Sequence, residues 1–187
     1  MPQLAQLNKE SESPIVMYEA RDDLQAYLTK YGTGIDLEQL VAKMAGPDEA
    51  NLFKQQILPR KTSKADGERD LAPVYEHVMR VSRPAMQQLY QDTFDQNHLD
   101  ALVFPTIPRV APKVKEATDP DVFPTVIQNT GPGSIVGIPG LTLPSGLGPH
   151  SRLPIGLEID GPARSDRRLL SIGLSLEKVL GRLSPPG

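Results

Sequence analysis

The residues of this chain that could do chemistry are a few serines, and the chemistry they could do is nucleophilic catalysis. Ser134 and Ser145 each lie among glycines, and Ser175 and Lys178 have the spacing of an SxxK motif. A nucleophile elbow needs glycine two residues before the serine, whereas Ser134 and Ser145 have proline and leucine there. Because a serine without an activating base is a poor nucleophile, we predict no catalytic residue. Chemistry relocated to Ser134 or Ser175 is the alternative.

Metal and cofactor chemistry have no support in the sequence. The histidines are far apart and form no pair at helical spacing. The chain has no cysteine, which excludes thiolate catalysis and cysteine-bound metal. The glycines from Gly131 to Gly137 miss the dinucleotide-binding spacing by one residue and enclose a proline. We therefore predict neither a metal site nor a cofactor.

Charge and hydropathy narrow the choice of partners. The 187 residues carry a net charge of −3 at pH 7, which gives no reason to expect nucleic acid or an anionic membrane surface. No stretch approaches the ~18 consecutive apolar residues of a membrane span, and no secretory signal pattern opens the sequence. The length favours one domain. We expect no nucleic-acid partner, no membrane association and a cytoplasmic location.

The first half of the chain is predicted to be a helical cover over residues 13–98, after a disordered N-terminus at residues 1–12. Ser13 followed by Pro14 is typical of a helix start. Asp36 and Gln39 have the spacing of a capping box at the start of a second helix. Further helices are predicted at residues 48–58 and 73–97. In the last of these, Pro84 removes a backbone donor and should cause a kink.

The second half is predicted to hold a sheet with its loops, over residues 99–164, because short apolar runs alternate with segments rich in glycine and proline. Strands are expected at 101–104, buried on both faces, and at 141–143 and 155–159. Residues 105–124 should be extended. A terminal helix at 165–181 follows, and residues 183–187 are expected to be disordered. The side chains of the terminal helix that are predicted to face inward are Leu169, Leu170, Leu174 and either Leu176 or Val179. The fold class is therefore α/β.

Five ordered segments of the chain resemble one known family. They are DALVFPT at 100–106, QNTGPGS at 128–134, GIPGLTLPSG at 137–146, LPIGLEIDGP at 153–162 and SDRRLL at 165–170. Together they resemble the C-terminal third of amidase-signature hydrolases, and among these the bacterial arylacetamide amidases. The helical segment at 14–32 and the helix leading into residue 100 are similar to the same enzymes.

The resemblance implies a partial mixed sheet with covering helices, the C-terminal portion of the amidase-signature fold, over residues 13–182. It implies an enzyme that hydrolyses a carboxylic amide, of the arylacetamide type, to an acid and ammonia. In the family a serine nucleophile, a bridging serine in a cis peptide and a lysine base do this work, and all belong to the N-terminal part. No segment here matches them, so the resemblance assigns no catalytic residue and predicts a chain that is inactive alone.

The resemblance also implies where a substrate would lie and which partners to expect. The candidate substrate-binding residues are in the segment before the 141 strand, and they are Thr130, Ser134, Ile135 and Ile138. The expected partners are the missing N-terminal amidase half and a small-molecule amide. An unfilled sheet edge also predicts self-association. The alternative is a stand-alone, non-catalytic module that keeps the fold and binds a partner or a small amide.

Overall fold

The computed structural model describes residues 1–32, 34–63, 67–116, 119 and 121–181. Although the length favours one domain, these residues form two compact units. One comprises residues 5–85, and the other comprises residues 86–187 together with residues 1–4. The first unit is helical, and the second holds the sheet and most of the residues that could line a site. None of the described helices is both long enough and apolar enough to cross a membrane.

Helix α1 (Leu4–Tyr31) starts earlier than the sequence suggested. Residues 4–12, expected to be disordered, are helical, and Pro14 lies inside the helix rather than at its start. Pairs of side chains one turn apart support these first turns, since Gln6 Nε2 donates to Glu10 Oε1 at 2.6 Å. Ser11 in the same segment is buried. The helix thus continues through Pro14, although the proline removes one backbone donor.

The predicted capping box at the start of α2 (Leu37–Ala42) is confirmed. The Gln39 amide donates to Asp36 Oδ1 at 2.7 Å, and the Asp36 amide donates to Gln39 Oε1 at 3.1 Å. Helix α3 (Pro47–Leu52) continues without a break into a π-helical stretch at Phe53–Ile57. The core of this unit is the cluster of Leu28, Leu37 and Val41, against which Leu24, Ile35, Leu40, Met44, Phe53 and Leu58 pack.

Aromatic contacts join α1 to the later part of the same unit. The rings of Tyr18 and Tyr75 stack with their centroids 4.1 Å apart, and the Arg60 guanidinium lies 4.2 Å from the centroid of the Tyr18 ring. Arg60 also pairs with Asp22. The Tyr75 hydroxyl donates to the carboxylate of Glu19 at 2.6 Å, and this bond, with burial, raises the pKa of Tyr75 to about 12.

A long helical run follows, in three parts. Helix α4 (Ala72–His77) passes into a π-helical stretch at Val78–Ser82 and then into α5 (Arg83–Gln96). A kink was predicted at Pro84, and the structure has a π-helical stretch that ends two residues before the proline. Proline lacks the amide that would close the ordinary helical bond, and a π-helical turn is one way to accommodate the loss.

The sheet of the second unit has three strands, each overlapping a predicted segment. They are β1 (Leu102–Pro105), β2 (Gly140–Leu147) and β3 (Pro154–Asp160). The spatial order is β1-β3-β2, and both pairings are antiparallel. Leu102, Asp160 and Gly140 lie side by side across the sheet, as do Phe104, Glu158 and Thr142. A register shift between Pro144 and Gly146 bends β2.

Strand β1 is not buried on both faces, which corrects the prediction for residues 101–104. The side chain of Val103 is 55% exposed, whereas Leu102 and Phe104 on the other face are half-buried. The reason is that helix α8 (Asp166–Leu180), which covers the face shared by Val103 and Ile159, packs mainly on β2 and β3. Leu169 of this helix joins Leu143 and Ile159 in a core cluster.

Two short helices occupy segments that were predicted to be extended or loop. Helix α6 (Val122–Ile127) starts before Pro124, after a single 3₁₀ turn at Val114–Glu116. Helix α7 (Gly131–Val136) forms in the glycine-rich segment. Its signals are Pro132 in the first turn and Gly137 in the left-handed conformation, with φ 77°, as the C-cap. The high glycine content obscured both signals.

Helix α8 has the predicted bounds within one residue at each end, but only part of the predicted inward set faces the core. Leu169 is buried and Leu176 is half-buried, whereas Leu170, Leu174 and Val179 are 58%, 61% and 82% exposed. The helix lies so close to β2 that a Cβ on Gly173 would stand 2.2 Å from Leu141 Cδ2. This approach fixes which face is inward. The predicted disordered tail at 183–187 lies outside the described residues.

Candidate functional site

A row of polar side chains crosses one face of the small sheet. Alternate residues of β3, Gly156, Glu158 and Asp160, share this face because side chains of a strand alternate in direction. Thr106 Oγ1 donates to Thr142 Oγ1 at 3.3 Å, and Thr142 Oγ1 donates to Glu158 Oε2. The absence of a side chain on Gly156 makes room for both threonines, since a Cβ there would lie within 2.8 Å of each. We call Thr106, Thr142, Glu158 and Asp160 the polar row.

The inner end of the polar row is a pair of buried carboxyl groups. Asp160 is only 3% exposed, and Glu158 is also buried. The two groups converge above Gly140, because a Cβ there would lie 2.8 Å from Asp160 Oδ1 and 2.9 Å from Glu158 Oε1. Burial, and then the negative charge of Glu158, raise the pKa of Asp160 to about 6. This carboxyl group therefore gains or loses its proton near neutral pH.

Helix α7 covers the Asp160 end of the polar row. A Cβ on Gly133 would lie 2.8 Å from Asp160 Oδ2, so the backbone of α7 lies directly against the carboxyl group. Asp160 Oδ2 is buried and has no hydrogen-bond partner among the described residues. The Tyr90 side chain of α5 is buried nearby, and burial together with the charge of Asp160 raises the pKa of Tyr90 to about 12. Gln87 of α5 donates to the Val136 carbonyl of α7 at 3.0 Å.

Two cavities lie along this arrangement. The larger, of about 700 Å³, is at the Thr106 end of the polar row and is lined by residues 105–111, Thr142, Pro144, Pro154, Ile155 and Gly156. The smaller, of about 120 Å³, is beside α7 and is lined by Gln87, Tyr90, Gln91, Phe94, Val136, Ile138 and Ala163. Apolar walls with a few hydroxyl groups are typical of pockets for small organic molecules.

The four predicted substrate-binding residues lie in and around α7 but do not form one surface. Thr130 is the N-cap residue of α7, and the Ser134 hydroxyl donates to its carbonyl at 3.1 Å. Ser134 is exposed, whereas Ile135 is buried. Ile138 is half-buried and lines the smaller cavity, which none of the other three does. None of the four lines the larger cavity.

The serines considered as nucleophiles make ordinary helical contacts. Ser175 donates to the Ser171 carbonyl at 3.0 Å, and Ser134 donates to Thr130 as described. Neither hydroxyl is hydrogen-bonded to a basic side chain in the contacts found for the described residues. Among those residues no group of three acidic or histidine side chains could hold a metal ion.

The sequence analysis missed the polar row. Its signal is present in the segment LPIGLEIDGP, where two carboxylates stand two residues apart inside an otherwise apolar strand. Residues two apart share a face, so one face of a buried strand had to carry both charges. Thr106 and Thr142 gave no such signal, because threonine is common in strands.

Comparison with known proteins identifies the class and then the family. The fold is that of peptide amidases. All of the chain superimposes on 36% of a peptide amidase bound to the competitive inhibitor chymostatin, with TM-score 0.66 and 22% identity. The native peptide amidase of Stenotrophomonas maltophilia gives TM-score 0.64 at 20% identity, over 99% of this chain and 36% of that one. A family model described as Amidase matches residues 1–170, and the chain belongs to this family.

The similar curated proteins are amide hydrolases. Mandelamide hydrolase of Pseudomonas putida is 36% identical over 188 residues, which cover 100% of this chain and 37% of that protein. Indoleacetamide hydrolase of Rhizobium radiobacter is 37% identical over 97% of this chain and 38% of that protein. The resemblance to the C-terminal part of amidase-signature hydrolases is thus confirmed. The chain spans less than two-fifths of the length of these relatives.

Proposed function

We propose that this chain is the C-terminal portion of an amidase that hydrolyses a carboxylic amide to an acid and ammonia, and that it is inactive on its own. It supplies part of the sheet and a wall of the substrate pocket, while the nucleophile and base come from an N-terminal half. The observation that carries the proposal is the family match over residues 1–170 together with coverage of only 37% of mandelamide hydrolase.

The exposed face of β1 supports the proposal that a second part of the amidase packs against this chain. Val103 is apolar and 55% exposed, and the outer edge of β1 has no strand beside it among the described residues. A stand-alone binding module should carry polar side chains at such a position, since an open apolar edge invites association. This feature favours the amidase portion over the stand-alone module.

The proposed substrate is an arylacetamide. The relatives named for their substrates act on mandelamide and on indoleacetamide, each an aromatic group on a short amide. Thr130, Ser134, Ile135 and Ile138 are the proposed wall residues on and beside α7. Ile138 has the most direct support, because it lines a cavity with Tyr90 and Phe94. The proposal retains a cytoplasmic location, which cell fractionation would test.

Reconstitution tests the proposal. Ammonia release from mandelamide and from indole-3-acetamide is measured for the purified chain, for the N-terminal portion of mandelamide hydrolase, and for the two expressed together. We expect release only from the pair. Ile138→Ala in this chain should raise the KM of the pair for the amide, whereas Asp23→Ala on the exposed face of α1 should leave it unchanged.

Three results would count against the proposal. Release by the chain alone that is lost in Ser134→Ala or Ser175→Ala would place a nucleophile in this chain. Assembly of a stable pair without any release would contradict the supply of a pocket wall. A sharply melting monomer that binds an amide without the N-terminal portion would favour the stand-alone module.

A further inference from the structure

The backbones of α7 and β2 lie directly against the carboxyl group of Asp160. Gly133 of α7 and Gly140 of β2 each come so near that a Cβ on either would lie 2.8 Å from an oxygen of Asp160. Real Cβ atoms essentially never approach that closely, so a side chain at either position would force the Asp160 carboxyl group or the backbone beside it to move. Neither glycine has a positive φ. Their backbones would accept alanine, and space rather than conformation is the constraint.

Hydrogen bonds among the described residues hold α7 near its two ends. Gln87 holds the C-terminal end through one hydrogen bond to Val136, and Asn129 just before the helix donates to the Pro105 carbonyl at 2.7 Å. The helix is only six residues long, too short to be stable without tertiary contacts. The Asp160 carboxyl group therefore supports the middle of α7.

We propose that Asp160 is the positioning residue for the α7 wall of the amide pocket, and that its carboxyl group, packed between Gly133 and Gly140, holds the wall in place. Asp160 Oδ2 has no hydrogen-bond partner among the described residues, so loss of the proton adds an uncompensated negative charge beside Glu158, and we expect this charge to weaken the contact with α7. The role in substrate binding rests on the proposed function. The role in placing α7 stands on this chain alone.

The titratable side chains near Asp160 lie on β3 and on α5. On β3 itself the titratable neighbour is Glu158, and on α5 it is Tyr90. The residues level with Asp160 on β1 and β2 are Leu102 and Gly140, and α7 contains no titratable side chain. Glu158→Gln is therefore the second variant, because it removes the other carboxyl group on this face of the sheet. A pH-dependent change that remains in this variant follows protonation of Asp160.

The first test uses the full chain alone. Gly133→Ala should shift the backbone amide signals of α7 and the Gln87 side-chain signal in nitrogen–proton spectra, and should lower the melting temperature. The same change in the Asp160→Ala background should do neither, because the opposing oxygens are gone. Asp23→Ala, on the exposed face of α1, is the control and should be silent in both backgrounds. Equal damage by Gly133→Ala in both backgrounds, or none in either, would overturn the positioning role.

The second test uses the pair reconstituted with the N-terminal portion. Gly133→Ala should raise KM about tenfold, the scale of one lost contact, with kcat largely kept. KM of the parent should rise as the pH passes about 6, and Asp160→Asn should remove this dependence while keeping a low KM. A pH-independent KM in the parent, or a fall in kcat alone, contradicts the proposal. If the pair hydrolyses no amide, the proposed function fails, and the spectra of the chain still decide the position of α7.

Discussion

The carboxyl groups of Asp160 and Glu158 are both buried on one face of β3. Burying two negative charges together costs free energy, and this cost is smaller when one of the groups is protonated. Thr142 donates a hydrogen bond to Glu158, whereas Asp160 Oδ2 receives none among the described residues. Burial, and then the negative charge of Glu158, raise the pKa of Asp160 to about 6.

This raised pKa predicts how the stability of the chain depends on pH. The pKa of Asp160 is raised from 3.8 to about 6 in the folded chain. Its contribution to stability is therefore fully present below about pH 4 and is lost as the pH rises through about 6. The expected loss is about 2 to 3 kcal/mol. Urea unfolding at a series of pH values measures it as the difference between the parent and Asp160→Asn.

Asp23→Asn, an exposed carboxylate of α1, is the control for general effects of charge removal. It should leave the pH dependence of the free energy of unfolding as in the parent. A parent curve that stays parallel to that of Asp160→Asn between about pH 4 and 7 would show that Asp160 is ionised throughout, against the expectation from burial.

At the scale of elements, local signals were sufficient for some helices and strands and insufficient for others. The Asp36 capping box and the amphipathic pattern of α8 depend only on residues that are close together in the sequence, so they could be predicted. The first turns of α1 contact a distant part of the chain, where Ser82 donates to Glu10 Oε2 at 3.5 Å, and α7 lies against Asp160. Neighbouring residues give no sign of either contact. The burial of the two faces of β1 could not be predicted. The sequence shows that the strand is apolar, but it does not show which elements cover each face.

The same reasoning applies to the candidate site. The glycine-rich segment pointed to α7 and its neighbours, and the resemblance supplied the four wall residues. The polar row remained hidden because its members come from the end of β1, from β2 and from β3, and only the pairing of strands brings Thr106, Thr142 and Glu158 together. Long-range register is the information that a single sequence states least clearly.

The capping box provides a prediction for a single element. Asp36→Ala removes the acceptor for the Gln39 amide and frees the Gln39 side chain, which should lower the free energy of unfolding of the chain by about 1 kcal/mol. Asp36→Asn keeps an acceptor oxygen and should lose much less. Chemical denaturation followed by circular dichroism measures both variants. Equal losses for the two substitutions would indicate that charge, not capping, is what α2 requires.

At the scale of the whole molecule, the second unit leaves apolar surface uncovered on one side chain of β1 and on the outer side of α8. Leu170 and Leu174 stand one turn apart and share a face of α8, and both are more than half exposed, as is Val103. Leucine and valine pairs of this kind normally face a core or a partner. The proposed N-terminal half is the expected cover.

Without that cover, the purified chain should self-associate. Leu170→Glu combined with Leu174→Glu should shift the chain towards a monomer in sedimentation velocity, with little loss of stability because both side chains are already exposed. Ser171→Glu adds charge at an exposed polar position of the same helix and should change association far less. A parent chain that sediments as a monomer at all concentrations would refute the expectation.

The order of strands in the sheet also has a consequence for how the unit is assembled. Strands β2 and β3 form a hairpin closed by the bond from the Gly148 amide to the Leu153 carbonyl, at 2.8 Å. Strand β1 lies on the opposite side of β3, although α6, α7 and β2 all come between them along the chain. Closing that longer loop costs more chain entropy than closing the hairpin. We therefore expect the pairing of β1 with β3 to form more slowly than the hairpin when this unit folds.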